Sequence, residues 1–308
     1  MMSFPSMPSA DDSVRLGAAP VLASPGGGAA ARAAQAIERL AQARGFIVDL
    51  DGTLVASGQA LPGAARLLAY AGERCVIVSN NSRDTARSLS RKLERIGLRI
   101  TPEHIVLAGE QAVLMVARRY PGARIRLAAS ATLAAFARRQ GCVLVEHAPD
   151  VVILGRDVHF NYAKLAAIVN DVRGGARLIV TNPDLSHPTN DGGLVPETGS
   201  LMHAVIACAG VAPEQIVGKP EQPLFIEALQ RLGTPAASTL VIGDNPATDA
   251  AGAARLGMPL VLVGASECAD VASLAALFPS EGGEQAQCRR SSMALQEQGV
   301  KCIEDRCV

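Results

Sequence analysis

Three things are scarce in this 308-residue chain: net charge, long apolar runs and paired cysteines. Lys and Arg together number 29, as do Asp and Glu, so nothing in the balance calls for nucleic acid, an anionic membrane or a polyanionic partner. A small anionic ligand needs only a few local charges. No apolar run approaches the roughly 18 to 20 residues that cross a bilayer, and no basic segment with an apolar core marks a signal peptide. The seven cysteines, at 75, 142, 208, 268, 288, 302 and 307, form no paired framework, which suggests a reducing compartment and a cytoplasmic protein. Gly26-Gly27-Gly28 lacks the Lys-Ser/Thr of a P-loop and the spacing of a dinucleotide fingerprint, and reads as a hinge.

What is present is organised around Phe46-Ile47-Val48-Asp49-Leu50-Asp51-Gly52-Thr53, an apolar run that ends in two aspartates, a glycine and a threonine. The run reads as a buried strand and Asp-Gly-Thr as the turn leaving its carboxyl end, where open α/β folds place their ligands. The same acids would also serve as ordinary turn residues.

The remaining pattern alternates strand and helix. A helix from Ala29 to Arg44 precedes the strand; another follows Leu61-Pro62-Gly63. Cys75-Val76-Ile77-Val78 forms a second strand ending in Ser79-Asn80-Asn81-Ser82. An amphipathic helix with Leu89, Leu93 and Ile96 comes next, Ser82 its expected cap and Gly97 its stop. His104-Ile105-Val106-Leu107 and a helix through Tyr120 complete the order expected of a parallel sheet covered on both faces.

Beyond Pro121-Gly122, strands at 124–127, 142–145, 151–155 and 177–180 alternate with helices at 131–140 and 161–172, a block able to supply its own core. After Ala212 the first pattern resumes. Ile216-Val217-Gly218-Lys219-Pro220, a helix at 223–232, the strand Thr239-Leu240-Val241-Ile242, the loop Gly243-Asp244 through Asp249, and Leu260-Val261-Leu262-Val263 are expected to complete the first sheet. The fold class is therefore α/β, a Rossmann-like parallel sheet with an inserted α/β domain. Its divisions are a mobile leader at 1–28, first core part at 29–120, insert at 121–212, second core part at 213–279 and a polar, disordered tail at 280–308. Cys288, Cys302 and Cys307 sit in that tail with no histidine nearby to make a metal site.

Four apolar segments thus end in polar groups: Asp49 and Asp51; Ser79 and Asn80; Lys219; Asp244 and Asp249. Singly, Ser79 could cap a helix, Lys219 could be a solvated loop lysine, and the late aspartates could favour a helix N-terminus. In this order, each after a strand, they resemble the four motifs of the haloacid-dehalogenase superfamily of phosphohydrolases over nearly all of residues 46–265.

The resemblance implies an enzyme that hydrolyses small phosphate monoesters with Mg²⁺. Asp49 would be the nucleophile, already ionised and needing relief from repulsion by an anionic phosphate. Asp49 and Asp244 would ligate Mg²⁺ with the Asp51 carbonyl, and Asp249 would support a water of the metal shell. Ser79, Asn80 and Lys219 would hold the phosphoryl oxygens, and Asp51 would act as acid and then base. Dehalogenating relatives lack a carboxylate at the place of Asp51. A phosphotransferase or mutase shares these motifs; a non-enzymatic phospho-acceptor domain is disfavoured by Asp51 and the insert.

The interval from Asp49 to Ser79 is used up by one helix and one strand, so the cap must lie between Ser79 and Lys219. That is the C2-type position of the subgroup containing p-nitrophenylphosphatase-like, phosphoglycolate, pyridoxal-phosphate and bacterial nucleotide phosphatases. Ser79-Asn80-Asn81-Ser82-Arg83, Thr181-Asn182-Pro183-Asp184, and His187-Pro188 with Asp191-Gly192 and Thr198-Gly199-Ser200 look like its phosphoglycolate and pyridoxal-phosphate branch. The resemblance makes Asp184 and His187 candidates for reading the leaving group, and relatives often dimerise through the cap. Glu197 departs from the pattern, which usually has glycine there.

Overall fold

The computed structural model describes residues 28–189 and 192–279; the expectations for the leader, Gly28 excepted, for Asp191 and for the tail lie outside them. The central sheet is five-stranded and parallel, in the order Leu260–Leu262, Thr239–Gly243, Gly45–Val48, Cys75–Ser79, Ile105–Leu107. Its strands are buried on both faces, which is why they read as unbroken apolar runs. The two-residue period divides them cleanly. Phe46, Val48, Ile77 and Ile242 point to one cluster with Leu40, Leu67 and Leu89, whereas Ile47, Val76, Val78 and Val241 point to another with Val113 and Phe225. Because Gly45–Val48 is central, with the sequence-distant strand Thr239–Gly243 on one side and Cys75–Ser79 on the other, the crevice opens beyond its carboxyl end.

A second five-stranded parallel sheet runs Gln215–Ile216, Arg177–Val180, Val151–Leu154, Arg124–Ala128, Val143–Leu144. This corrects the expectation that the Ile216 segment completes the first sheet. Gln215 and Ile216 pair with Ile179 and Val180, and the chain crosses back only at Val217 to Lys219. A two-residue strand carries too little pattern to name its partner. The insert supplies a core of its own and also packs against the first sheet. One face of its sheet, with Val152, Leu154 and Val180, packs on Ile168 and Val205 from its own helices. On the other face Ile125, Ile153 and Ile179 join the cluster that holds Ile47 and Val113, so the two sheets share apolar packing.

Helix Ala86–Arg95 begins one turn later than expected. Thr85, not Ser82, is its cap, accepting from Ser88 N at 3.2 Å while Thr85 N donates to Ser88 Oγ at 2.9 Å. Ser82 Oγ instead accepts from Arg156 N at 3.0 Å, tying the two sheets together. The hairpin of Ser186–Pro188 with Leu194–Pro196, and the helix Thr198–Ala209 behind it, are elements the apolar pattern did not reveal. Among the described residues no helix is long and apolar enough to cross a membrane.

Candidate active site

The carboxyl ends of both sheets face each other across the loop after Ser79. Ser130 Oγ, beyond one strand of the second sheet, donates to Arg83 O at 2.6 Å; Arg156 N, beyond the next, donates to Ser82; Asn182 Nδ2, beyond the third, donates to Asn80 O at 2.9 Å. Asn80 is the hub. Its Nδ2 donates to both Asp184 oxygens, at 3.1 and 3.0 Å, and to Lys219 O at 3.0 Å, while its Oδ1 accepts from Lys219 N at 2.7 Å. Asn80→Ala removes a charge-assisted link between the sheets and is expected to lower the unfolding free energy in urea by about 2 kcal/mol; a loss under about 0.5 kcal/mol would show that this side chain adds little to the other ties between them.

Beneath this rim the carboxylates converge. Asp49 is buried at the end of Gly45–Val48, its N donating to Ile242 O at 2.8 Å. Lys219, also buried, donates from Nζ to Asp49 Oδ1 and, at 2.6 Å, to Asp249 Oδ1. Asp244 follows the strand Thr239–Gly243 and accepts from Thr53 Oγ1 at 3.3 Å. The approach of Asp244 requires glycine at 52: a Cβ there would lie 2.1 Å from Asp244 Oδ2, and φ is +87°. Asp249, on the turn Pro246–Ala250, accepts from Asn245 N at 3.2 Å and packs where Gly243 has no side chain.

One oxygen from each of Asp49, Asp244 and Asp249 lies within 4.8 Å of the others. Burial pushes the Asp49 carboxyl well above its ordinary range, Lys219 opposing and Asp249 adding to the rise; burial and then Asp249 push Asp244 up as well. Burial alone would lower Lys219, but Asp249 and Asp49 outweigh it and hold the amine protonated. One lysine therefore faces three carboxylates. An all-oxygen donor set short of positive charge fits a hard divalent cation.

At the mouth, Asp51 is exposed but crowded on its inner side, and lost hydration there raises its pKa against the pull of Lys219 and Ser79. Ser79 Oγ is 3.5 Å from Asp51 Oδ2 and accepts from Asn81 N at 3.1 Å. Asp184 and His187, both half-buried, stand on the opposite rim. His187 lies on the hairpin strand Ser186–Pro188, paired with Val195. Its Nδ1 lies 2.6 Å from Glu197 Oε1. Its Nε2 is 3.4 Å from Arg156, whose other guanidinium nitrogen is 3.0 Å from the same Glu197 oxygen. Sequence reasoning overlooked Thr53, Arg156 and Asn182 as site residues. Arg156 was findable, since Leu154-Gly155-Arg156 repeats the pattern of an apolar strand ending in a polar group.

A parallel sheet covered by helices, with carboxylates, a lysine and a serine at its carboxyl edge, defines a Rossmann-like α/β enzyme scaffold. Residues 46–143 match the family model described as haloacid dehalogenase-like hydrolase, and residues 216–278 match a second, HAD-hydrolase-like one. The chain is 31% identical over 231 residues to the dihydroxyacetone phosphatase of Corynebacterium glutamicum, covering 73% of this chain and 83% of that protein. It is 31% identical over 237 residues to the acid sugar phosphatase of Staphylococcus aureus, covering 75% and 90%. The glycerol phosphate phosphatase of Mycobacterium tuberculosis in complex with magnesium superposes with a TM-score of 0.70 at 28% identity, over 78% of this chain and 77% of that one. This chain belongs to the haloacid dehalogenase-like hydrolases.

Proposed function

We propose that the chain is a divalent-metal-dependent phosphatase that hydrolyses small phosphate monoesters through an aspartyl-phosphate on Asp49. The observation that carries this reading is the buried Lys219 joining Asp49 to Asp249, with Asp244 close enough to share a cation with both. The names of the relatives, phosphatases of dihydroxyacetone, sugar and glycerol phosphates, support the substrate class.

Asp49 Oδ attacks phosphorus while the ester P–O bond breaks, its electron pair passing to the leaving oxygen. Asp51, raised in pKa and so protonated more readily than an ordinary carboxyl, gives that oxygen a proton. The resulting Asp51 carboxylate takes a proton from water as the water oxygen attacks the phosphorus of the aspartyl-phosphate. Phosphate leaves and Asp49 is regenerated. Ser79 Oγ and Lys219 Nζ donate to the phosphoryl oxygens as charge shifts between them. The carboxylates of Asp49 and Asp244 and the Asp51 carbonyl would hold Mg²⁺, with Asp249 behind them; the ion supplies neutralisation of the charge between nucleophile and phosphate. The second sheet, from 121 to about the Ile216 edge, acts as a cap that excludes water and reads the leaving group, Asp184 and His187 contributing from its rim.

A panel of phosphate esters assayed for inorganic phosphate, with Mg²⁺ and with excess chelator, tests the reading. Release is expected only with the metal; undiminished turnover in chelator sinks it, and transfer to an added alcohol without release of phosphate selects a phosphotransferase. Independently of turnover, Mg²⁺ at about a hundred times its Kd is expected to stabilise the fold by about 2 to 3 kcal/mol, and Asp244→Asn to remove most of that shift.

A further inference from the structure

We propose that Glu197 sets the charge preference of the crevice: by engaging Arg156 and His187 it favours phosphate esters with an uncharged leaving group over those carrying a second anion. This rests on the phosphatase reading above and adds which leaving groups the cap admits.

Three separate elements bring these side chains together. Arg156 follows the strand Val151–Leu154 and is pinned to the core rim through its backbone bond to Ser82. His187 lies on the hairpin, paired with Val195, and Glu197 directly follows the second hairpin strand, its N donating to Leu185 O at 2.9 Å. A single oxygen, Glu197 Oε1, serves both partners, at 3.0 Å from Arg156 and 2.6 Å from His187. The Glu197 and Arg156 side chains are only 14% and 19% exposed, so water screens this pair far less than a surface ion pair. Burial pushes the Glu197 carboxyl up, with Arg156 the chief opposing influence.

The consequence is a cap rim with no uncommitted cation among these groups. Lys219 is spent on Asp49 and Asp249 and Arg156 on Glu197, while the Asp184 carboxyl beside them accepts from Asn80 and offers an anion no positive partner. A carboxylate or second phosphate on the substrate meets repulsion there, whereas hydroxyl groups meet donors and acceptors. Arg156 also keeps an unspent donor: its Nε is buried without a hydrogen-bond partner. Removing the Glu197 charge would turn that guanidinium into a carboxylate reader.

The test uses a matched pair, glycerol 3-phosphate and 3-phosphoglycerate, which differ by a hydroxymethyl group against a carboxylate. The wild-type enzyme is expected to favour the neutral ester in kcat/KM by about tenfold or more. Glu197→Gln, which keeps shape and removes charge, is expected to shift the ratio toward the acid by about tenfold, mainly through KM for the acid. Adding Arg156→Met to that variant should cancel the gain. A wild-type preference for the acid overturns the proposal even if the variant fails to fold, as does an unchanged ratio in a folded variant. p-Nitrophenyl phosphate separates the two readings: if it and both esters resist the enzyme the phosphatase assignment falls, and if it is hydrolysed while the ratio stays flat only the role of Glu197 falls.

Discussion

Asp49→Asn is expected to reduce phosphate release by on the order of 10⁴-fold or more, the scale seen when a covalent nucleophile is removed, while leaving the protein at least as stable as before. The first part follows because an amide oxygen cannot form and release the acyl-phosphate, and no second carboxylate stands in its place: Asp244 and Asp249 come from the neighbouring strand's end, and Asp249 is held by Lys219 and Asn245. The second part follows from the direction of the Asp49 shift. A carboxyl whose pKa is raised on folding is more stable in the fold when neutral, so it contributes stability below its unfolded pKa and loses it as pH rises through the folded one. At neutral pH a neutral amide of the same shape removes that burden. Phosphate release and thermal melting on one preparation check both halves. Retained turnover would overturn the mechanism, and a large drop in melting temperature would show that Asp49 is a structural partner of Lys219 first.

Lys219→Ala is expected to damage both activity and fold. It removes a donor to the phosphoryl oxygens, a loss of about 10² to 10³ in turnover. It also strands Asp49 and Asp249, both buried, without their shared cation, which should cost about 3 to 5 kcal/mol near neutral pH. The sign with pH can be worked out. The Lys219 pKa is raised by folding, so its stabilisation is fully present below the unfolded lysine value and is lost only in strong alkali. In the variant the stranded carboxylates take up protons as pH falls, so the deficit should narrow in acid. Urea unfolding at neutral and at mildly acidic pH reads this directly. A deficit under about 1 kcal/mol, or one that widens in acid, would mean that Lys219 is not what compensates the two carboxylates.

The legibility of this site in the sequence follows its chemistry. Asp49, Ser79 and Asp244 each stand at or just past the end of an apolar run, and a parallel strand buried on both faces has to read as such a run. Lys219 was legible as a residue but misplaced: it was assigned to the end of a core strand, yet it leaves the edge of the second sheet and reaches Asp49 only because Asn80 grips its backbone on both sides. The N-cap of Ala86–Arg95 was misassigned because Ser82 and Thr85 are both good caps, and the contact of Ser82 with Arg156 decided between them.

By itself the sequence determined the two-layer alternation of strands and helices, the strand ends that carry polar groups, and the order of those groups along the chain. These depend on local periodicity and on which residues tolerate turns, and both are written in neighbouring positions. Only the tertiary structure decided which sheet owns Ile216, that the two sheets share apolar packing, and that Arg156, His187 and Glu197 meet at one oxygen. Those outcomes hang on contacts between segments far apart in sequence. Burial and charge there are set by what the other segment brings, which no local pattern records.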